Sequence, residues 1–532
     1  MFTRRTKQSR RTSMAESRTS RKSGSFELSN FSYLTYKEYE AHNWIALFHS
    51  CASQSISIVT SYDTLGESGV EPSLNQTQSA AIYIDPHLLK TATGPLKKSN
   101  VKTVFINEQC IFAAGCEVEE SRKANPEFVV LTLEQLRKLG EENMVDPVPA
   151  KSTDVYCIMY TSGTTGPPKG TVVTHESFIA GVTGLYTCMD KAFIDKDSLL
   201  AYLPMAHILE TAIEYLGMFI GGTIGYGNPR TLSDLSKTVK KGVIAKVAAS
   251  SPLVRTLFWG AFYYKGFMVR YHLPGANIFD DIVFGKVREQ AGGRVRMTVN
   301  GASSIADTTK NFLSMVMAPM ILGYGLTETS ATGILGSPLP YTPDYIGTVQ
   351  PAIEVKIVGK PVMFGYYDDP TETKKVITPD RWLKTGNIWE LNDQGHMRVI
   401  DRLKNLVKMQ GGEYISLERV ESVYRSVQTV SNVMIYADSA KSRPIAVIMP
   451  NEKALAGLAE ELGANVHSMY LKFRICDVVL KDLQATAKHA GLAGLEIVSG
   501  VVITEREWTL PLRRTIRKTF KENINEVLKT SP

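Results

Sequence analysis

The sequence predicts an α/β protein with a large N-terminal body of layered sheets and helices and a smaller α+β domain towards the C-terminal end. Two observations lead to this prediction. Short apolar runs alternate with amphipathic stretches along the first part of the chain, and strands spaced by helices are typical of parallel α/β layers. The chain also has 532 residues, of which 43% are hydrophobic, so it can bury at least one large core and suggests two or more domains.

The strands of the large body are predicted from short apolar runs. In chain order these runs are Ile56–Val59, Ala80–Ile84, Thr103–Ile106, Phe128–Leu131 and Val155–Tyr160. The stretch Leu133–Leu139 has the spacing of an amphipathic helix. Phe312–Leu326 comes nearest to an uncharged membrane-spanning stretch, but Pro319 and two glycines interrupt it, so we interpret it as a core helix and strand.

The small domain is predicted from the change of pattern after Arg398–Ile400. The polar stretch Asp401–Asn405 reads as a charged linker, and Leu417–Arg425 has helical spacing. Val433–Tyr436 and Ala446–Met449 read as strands. The predicted divisions are therefore a tail over 1–30, the large body over 31–400 and the small domain over 401–532.

The net charge of +7 is modest, and much of it lies in Met1–Lys22, where eight basic residues face only Glu16. This segment has few apolar residues and is predicted to be disordered. A basic, Ser-rich, acid-poor segment is also typical of a targeting presequence, but this one lacks the apolar face of such a helix, so a solvated tail is the preferred interpretation. The rest of the chain is near neutral, which argues against nucleic acid as a partner.

The six cysteines are scattered and form no C-x-x-C pair. This pattern indicates buried thiols in a reducing compartment rather than a zinc site or a disulfide framework. Without a membrane span, we expect an intracellular protein that is cytoplasmic or peripheral on the endoplasmic reticulum, a lipid droplet or another organelle membrane. A lipid surface would be touched only peripherally.

The most informative stretch is Tyr160–Gly170. It contains three glycines, four serine or threonine hydroxyls and Lys169. Glycines let backbone N–H groups turn toward an anion, and a lysine adds a point charge for phosphate. No Lys-Ser or Lys-Thr follows a G-x-x-x-x-G pattern, so this is not the usual nucleoside-triphosphate loop. A flexible Gly/Thr linker is the alternative, but linkers are rarely followed by Pro-Pro-Lys-Gly-Thr. The sequence therefore predicts a phosphate-binding loop.

Four further motifs follow this loop in a fixed order: Tyr202–His207, Gly323–Thr329, Trp382–Asn387 and Asp401–Asn405. Together the five motifs resemble those of the adenylate-forming enzymes, which comprise acyl-CoA synthetases, luciferases and peptide-synthetase adenylation domains. The resemblance runs from about Tyr36 to Glu507. Three further stretches resemble the long-chain fatty acid branch of this family in particular. They are Asp63–Glu67, Tyr226-Gly227 before Thr231-Leu232, and Gly412–Ile415.

The resemblance implies that 31–400 is an adenylation domain for ATP and the acyl group, and that 401–532 is a mobile C-terminal domain. It implies a long-chain fatty acid, ATP and coenzyme A as substrates, with Mg²⁺ as cofactor. The ATP-binding residues that it implies are Thr161, Ser162, Gly163, Thr164, Thr165, Gly166, Lys169, Gly301, Tyr324, Asn387 and Arg402.

The catalytic residues that the resemblance implies are Thr327, Glu328, His207 and Lys404. Thr327 would donate to the α-phosphate, and Glu328 would be the metal ligand, since Mg²⁺ prefers carboxylate oxygens. Tyr324 would stack on adenine, and His207 would lie near the carboxylate. Lys404 would be the pivot between domains. Gly411 and Gly412 would bind coenzyme A by leaving room for its pantetheine arm.

Several of these residues have a plainer interpretation. Thr327 alone reads as the cap of a helix with an acid in its first turn. His207, between two apolar residues, is equally a satisfied core residue. Tyr215–Gly222 either lines an acyl channel or packs as an ordinary apolar helix, and Lys404 and Lys408 alone are solvated charges.

The chain also departs from the family pattern. The ribose motif normally ends in Asp, whereas Asn387 offers one acceptor oxygen and an NH₂ that cannot accept. The loss of one charge-assisted hydrogen bond should weaken nucleotide binding by ~1.5–3 kcal/mol. The C-terminal catalytic lysine of the family is missing after Glu507–Thr509, and Arg514 or Lys518 would be its substitutes in charge.

Internal stretches of the family pattern also look missing. One loss is predicted between Ser236 and Lys240 and another between Val358 and Lys360. Two functions therefore remain open from the sequence. One is a long-chain fatty acid–CoA ligase, and the other is an acyl- or nucleotide-binding protein without turnover, either a natural pseudoenzyme or a defective gene model.

Overall fold

The structure is a computed structural model, in which the chain divides into two compact units. The units are Met1–Tyr36 with Leu47–Ala150, and Lys37–Ala46 with Lys151–Pro532. The described residues are 30–35, 41–62, 66–107, 117–161, 168–189, 192–194, 196–227, 235–301, 305, 307–337, 345–349, 363–393, 395–402, 405–410, 413–439, 441–451, 469–504, 523–525 and 527.

The first unit is built on parallel strands. They are β1 (Asn30–Thr35), β2 (Ser57–Tyr62), β3 (Ala81–Ile84), β4 (Thr103–Ile106) and β5 (Val129–Thr132). Their spatial order is β2-β1-β3-β4-β5, and every neighbouring pair in it is parallel. Strands β3 and β4 are buried at every residue, because parallel strands lie between two covering layers.

Helices accompany these strands. In the first 150 residues they are α1 (Ala41–Ser53), α2 (Gly66–Thr77), α3 (Leu89–Lys97), α4 (Glu117–Ala124) and α5 (Leu133–Glu142). Val70 and Leu74 of α2 pack with Ile82 and Ile84 of β3 in one core. The predicted parallel α/β layers are confirmed.

The second unit opens with a pair of long strands and a parallel ribbon. Strands β6 (Val155–Thr161) and β7 (Lys169–Thr174) are antiparallel, and β14 (Gly365–Tyr366) pairs with β7. Strands β8 (Ser198–Ala201) and β9 (Thr223–Tyr226) are parallel. Helices α6 (His175–Met189) and α7 (Ile208–Phe219) lie between them in sequence.

A helical layer and a second sheet follow. The helices are α8 (Leu235–Ala248), α9 (Pro252–Arg270), α10 (Gly285–Gln290) and α11 (Asp307–Val316), with a π-helical turn at Asp280–Phe284. The sheet contains β10 (Thr298–Asn300), β11 (Met320–Gly325), β12 (Gly333–Leu335) and β13 (Thr348–Val349), in that order. Helix α11 and strand β11 confirm the core helix and strand predicted over Phe312–Leu326.

The C-terminal part is a set of small sheets with helices. Its strands are β15 (Asn387–Leu391), β16 (Met397–Arg402), β17 (Leu406–Lys408), β18 (Tyr414–Ser416), β19 (Val430–Tyr436), β20 (Ile445–Pro450) and β21 (Gly500–Ile503). Its helices are α12 (Pro370–Val376), α13 (Leu417–Tyr424) and α14 (Met469–His489). The core between α13, α14 and the sheet β19-β20-β21 includes Tyr424, Val433, Ile448 and Leu483.

Two features near the predicted breaks differ from expectation in detail. Strand β16 continues through Asp401 and Arg402, so the first residues of the predicted polar linker are paired with β15. Helix α8 runs without interruption through Ser236–Lys240, where an internal loss is predicted. The loss predicted at Val358–Lys360 and the basic segment Met1–Lys22 of the predicted tail lie outside the described residues, whereas Asn30, the last residue of that tail, begins β1. Among the helices that the structure describes, none is both long and apolar enough to cross a membrane.

Candidate active site

The predicted phosphate loop connects two strands that are paired to each other. The apolar run Val155–Tyr160 forms most of the buried strand β6, as predicted. Thr161 at the end of β6 pairs directly with Lys169 at the start of β7, and the Thr161 hydroxyl lies 3.4 Å from the Lys169 carbonyl oxygen. The loop residues Ser162–Gly166 lie outside the described residues, but both of their anchors are held in a sheet.

Lys169 forms an ion pair with the carboxylate of Glu372 on α12, and its ammonium group also lies 5.1 Å from the centre of the Tyr366 ring. Hydrogen bonds from Lys169 and Lys375 lower the pKa of Glu372 to about 2. Glu372 is therefore ionised at neutral pH and holds the Lys169 ammonium group at the start of β7.

Tyr366 links this lysine to the predicted metal ligand. Its hydroxyl donates a hydrogen bond of 2.8 Å to Oε1 of Glu328. Burial, then the neighbouring charge of Glu328, raises the pKa of the Tyr366 phenol, so the hydroxyl keeps its proton. The structure thus brings Lys169 over the ring of Tyr366 and Glu328 to the hydroxyl of the same tyrosine.

The turn that carries Thr327 and Glu328 is a 3₁₀ turn over Thr327–Thr329 rather than the start of an α-helix. Thr329, not Thr327, makes the local backbone bond, since its Oγ1 accepts from the N–H of Leu326 at 2.9 Å. The Met363 N–H binds the carbonyl of Glu328 at 2.7 Å. The plain interpretation of Thr327 as a helix cap is therefore wrong.

The predicted adenine and ribose residues also meet. The Asn387 amide donates to the hydroxyl of Tyr324, and the Tyr324 ring lies edge-on to Trp389 with 4.5 Å between ring centres. Asn387 and Arg402 face each other across the β15–β16 pair. Burial raises the pKa of Tyr324 to about 12.

Glycine is required where this site packs most closely. A Cβ on Gly325 would lie 2.1 Å from the carbonyl oxygen of Ala331, a separation that no real side chain tolerates. A Cβ on Gly301 would lie 3.2 Å from Leu209 Cδ2 and 3.4 Å from the carbonyl oxygen of Gly323. Gly301 therefore sits between the start of α7 and the motif that carries Tyr324.

His207 lies at the start of α7, where its Nδ1 accepts a hydrogen bond of 3.3 Å from the N–H of Leu209. Burial lowers the pKa of the imidazole, so it is neutral at neutral pH. The same helix carries two buried carboxyl groups. Burial, then the charge of Glu214, raises the pKa of Glu210 to about 8, and burial raises that of Glu214 to about 7.

Two of the plain interpretations fit the structure. Within the stretch Tyr215–Gly222, a Cβ added to Gly217 would lie 3.5–3.6 Å from Ile224 and Leu199, which is the ordinary contact distance of an apolar helix packed on its neighbours. Lys408 is exposed and its ammonium group lies 6.0 Å from the centre of the Tyr414 ring.

Three groups of predicted residues are thus placed: Lys169 with Glu328, Tyr324 with Asn387 and Arg402, and Gly301 beside α7. Thr161, His207 and Thr327 are placed as well, in β6, at the start of α7 and in the 3₁₀ turn. The other predicted residues lie outside the described residues; they are Ser162, Gly163, Thr164, Thr165, Gly166, Lys404, Gly411, Gly412, Arg514 and Lys518. The motifs do not include Tyr366 or Glu372. Glu372 looks like any acid in the first turn of a helix, so no sequence signal marked it.

The comparisons with known proteins identify the family. The family described as AMP-binding enzyme matches residues 40–363. Palmitoyl-CoA ligase FUM16 of Gibberella moniliformis is 44% identical, with 94% of this chain and 85% of that protein covered. Long-chain-fatty-acid–CoA ligase 1 of Schizosaccharomyces pombe is 36% identical, with 88% of this chain and 76% of that protein covered.

The alignment with the Gibberella protein runs over 577 residues, which is longer than the chain of 532 residues. The relative therefore contains stretches that this chain lacks, in agreement with the predicted internal losses.

Solved structures show the same fold. The adenylation domain of a carboxylate reductase from Mycobacterium chelonae matches with a TM-score of 0.71 at 18% identity, covering 94% of this chain and 81% of that one. The corresponding domain from Segniliparus rugosus, in complex with AMP and a co-purified carboxylic acid, matches with a TM-score of 0.69 at 18% identity, covering 95% and 83%. The chain belongs to the AMP-binding enzyme family and is an acyl-CoA synthetase of the adenylate-forming superfamily, as its five motifs predict.

Proposed function

We propose that this chain is a long-chain fatty acid–CoA ligase that activates a fatty acid with ATP through an acyl-adenylate and then forms the thioester with coenzyme A. The observation that carries the proposal is that Tyr366 contacts both Lys169, which lies over its ring, and Glu328, which accepts a hydrogen bond from its hydroxyl. A lysine and a carboxylate that both contact one tyrosine, next to the predicted phosphate loop, are what a site for phosphate and a metal ion would require. Relatives that are named as long-chain fatty acid ligases support this substrate class.

The first step needs no general base. A fatty carboxylate has a pKa near the ~4–5 of other carboxyls, so it is already ionised at neutral pH. Its oxygen attacks the α-phosphorus of ATP and pyrophosphate leaves with the bonding electron pair. The task of the protein is therefore to align the reactants and to stabilise the charge that moves onto the pyrophosphate.

The proposed roles follow from the placement of the residues. Lys169 and the loop from Thr161 to Gly166 would hold the β- and γ-phosphates, and Thr327 would donate to the α-phosphate. Tyr324 would face adenine, with Asn387 and Arg402 at the ribose. On binding, the phosphates would replace Glu372 as the partner of Lys169.

The residues present also fit Mg²⁺. Glu328 is half-buried, and its described partner is the neutral hydroxyl of Tyr366, so its negative charge is available to a cation. Mg²⁺ prefers such oxygen ligands and, when bound, would neutralise phosphate charge. Tyr366 would keep the carboxylate turned toward the site.

In the second step, the thiol sulfur of coenzyme A attacks the acyl carbonyl carbon, AMP leaves, and the thiol proton is released. Gly411 and Gly412 would leave room for the pantetheine arm, and Lys404 would be the pivot on which 401–532 moves between the two steps. A protein with a fatty acid as substrate would also touch a lipid surface peripherally, on the endoplasmic reticulum, a lipid droplet or another organelle membrane.

The decisive experiment measures adenylate formation and thioester formation separately with purified protein.

Lys169→Ala should weaken ATP binding by roughly 10- to 100-fold, because a charge-assisted contact with phosphate contributes ~1.5–3 kcal/mol, and should leave the thermal unfolding temperature unchanged. The matched control is Lys375→Ala, which removes the other lysine on Glu372 and should preserve ATP affinity. Equal affinity of the Lys169→Ala and wild-type proteins by calorimetry would refute the assignment. Nucleotide binding without either product would instead favour the protein without turnover.

A further inference from the structure

Helix α9 is apolar on both of its sides. A helix that is hydrophobic all round is normally buried all round. In α9 only one side packs into the protein: Phe258, Ala261 and Lys265 are buried against a core that includes Phe284 and Phe312. The buried charge of Lys265 on this side is paired, since its ammonium group lies 2.6 and 2.8 Å from the two carboxylate oxygens of Asp280.

A second side of α9 carries an exposed stripe, which we define as Leu253, Leu257, Tyr264 and Phe267 of the helix together with Tyr271, the residue directly after it. Successive members are four, seven, three and four positions apart, so on a helical wheel all five lie within a narrow sector. Leu257 and Phe267 are 57% and 56% exposed. Over its 19 residues the helix is about 28 Å long, so the stripe is a continuous apolar ridge rather than a scattered set of surface residues.

Helix α9 has no acidic residue, and its exposed basic residues are Arg255 and Arg270. Between residues 251 and 296 the exposed acids are Asp281 and Glu289, whereas several exposed basic residues are present. Arg296 is paired with Asp197. The other exposed basic residues of this segment are Arg255, Arg270, Lys286 and Arg294. A basic excess beside an apolar ridge is complementary to a surface that is apolar inside and anionic outside.

The charge of the helix favours one kind of occupant. Tyrosine has an apolar ring and a polar hydroxyl, so it suits both a protein interface and the boundary between lipid and water. A second copy of α9 would bring like charges together, because the helix has basic residues and no acid. An anionic surface is attracted to the same helix.

We propose that the exposed stripe of α9 docks on the surface of an anionic lipid bilayer, with the helix lying parallel to the membrane plane. All five side chains of the stripe face the bilayer: the leucines, Phe267 and the tyrosine rings meet the acyl boundary, and the hydroxyls of Tyr264 and Tyr271 reach back to the headgroups. This inference rests on the proposed function in one respect, because a long-chain fatty acid is held in such a surface before it is activated.

The test is co-sedimentation of the full chain with vesicles. Wild-type protein should bind vesicles that contain phosphatidylglycerol more tightly than vesicles of phosphatidylcholine alone, and added salt should weaken the binding. The variant Leu257→Glu with Phe267→Glu places two anions on the stripe and should lower the partition coefficient by at least ~10-fold. The matched control is Met144→Glu with Leu391→Glu, which makes the same charge change at residues that are 83% and 64% exposed, and it should bind as wild type does.

Ligation of a detergent-solubilised fatty acid, measured in parallel, separates this inference from the proposed function. Both double variants should retain it, which also shows that they fold. Vesicle binding that is equal in the stripe variant and wild type overturns the docking surface, as does wild-type protein that ignores anionic vesicles. A wild-type dimer that the stripe variant converts to a monomer, with vesicle binding unchanged, would assign the stripe to a second copy instead.

Discussion

At the scale of single residues, the site is organised by side chains that the motifs do not include. Tyr366 contacts both Lys169 and Glu328, and Glu372 neutralises Lys169. The motifs supply the groups that would meet the nucleotide, and these two residues set where those groups point. Their contacts with Lys169 join residues about 200 positions apart in the chain, and Tyr366 and Glu328 are 38 positions apart, so no local pattern encodes these roles.

A prediction at this scale concerns the ribose. Asn387→Asp should tighten ATP binding by roughly 10- to 100-fold, because the second carboxylate oxygen restores a charge-assisted hydrogen bond of ~1.5–3 kcal/mol. The contact with Tyr324 survives, since its hydroxyl can donate to the new carboxylate. Calorimetric titration with ATP measures the effect, and an unchanged dissociation constant would show that Asn387 does not face the ribose.

At the scale of elements, the turn after β11 is the most constrained part of the site. Gly325→Ala should lower the free energy of unfolding by about 3 kcal/mol, the upper part of the usual range for overpacking, because the new Cβ meets a backbone carbonyl that cannot move alone. Gly323→Ala is the control two residues earlier. Its Cβ would lie 3.3 Å from Leu335 Cδ1, a flexible side-chain end, so it should cost under ~1 kcal/mol. Urea unfolding of both variants checks the difference, and equal losses would contradict it.

Helix α7 should make stability depend on pH. The pKa values of Glu210 and Glu214 rise from an ordinary 4.5 to about 8 and about 7, so the folded protein holds protons that the unfolded chain releases. Their stabilising contribution is complete below about pH 4.5 and is lost as pH rises through 7 to 8.

Glu214→Gln should therefore flatten the fall in stability between pH 5 and pH 8 and should raise the unfolding temperature at pH 8. Glutamine can still accept the hydrogen bond that Tyr226 donates to Glu214 at 2.8 Å. The exposed Glu141→Gln is the control for the chemical change. Parallel stability–pH curves for wild type and Glu214→Gln would rule out the buried pair as the source.

The elements themselves were largely predictable from the sequence. The apolar runs gave β2 to β6, and the helical spacing gave α5 and α13, because periodicity reports which residues are buried. Thr327 was read alternatively as a cap, but the side chain that accepts a backbone N–H in this turn is that of Thr329. Such local hydrogen bonding depends on backbone angles that residue type does not specify.

At the scale of the whole molecule, the family assignment was available from the order of five motifs, but the partners of their side chains were not. The domain boundary near Asp401 stays a prediction. Strand β16 is paired with β15 through Arg402, so a swing of 401–532 would begin after that residue.

Lys404→Pro tests this movement. Proline fixes φ near −65° and should trap one arrangement of the domains, so thioester formation from supplied acyl-adenylate should fall at least ~10-fold while ATP binding is preserved. Lys404→Ala leaves the backbone free and should lose much less. An equal loss of ATP binding and thioester formation in the proline variant would make Lys404 merely structural.

The direct pairing of Thr161 with Lys169 has a consequence for the thermodynamics of nucleotide binding. A loop whose two ends occupy the same rung of a sheet has already lost the entropy of bringing those ends together. That entropy was spent when the chain folded, and the cost grows only as the logarithm of loop length. A nucleotide that binds therefore does not contribute the entropy cost of closing the loop. Any remaining entropy cost of binding in this loop comes from the few residues between Thr161 and Lys169. Lengthening the loop by a residue or two would thus scarcely alter the stability of the fold, and the penalty would appear almost wholly in affinity.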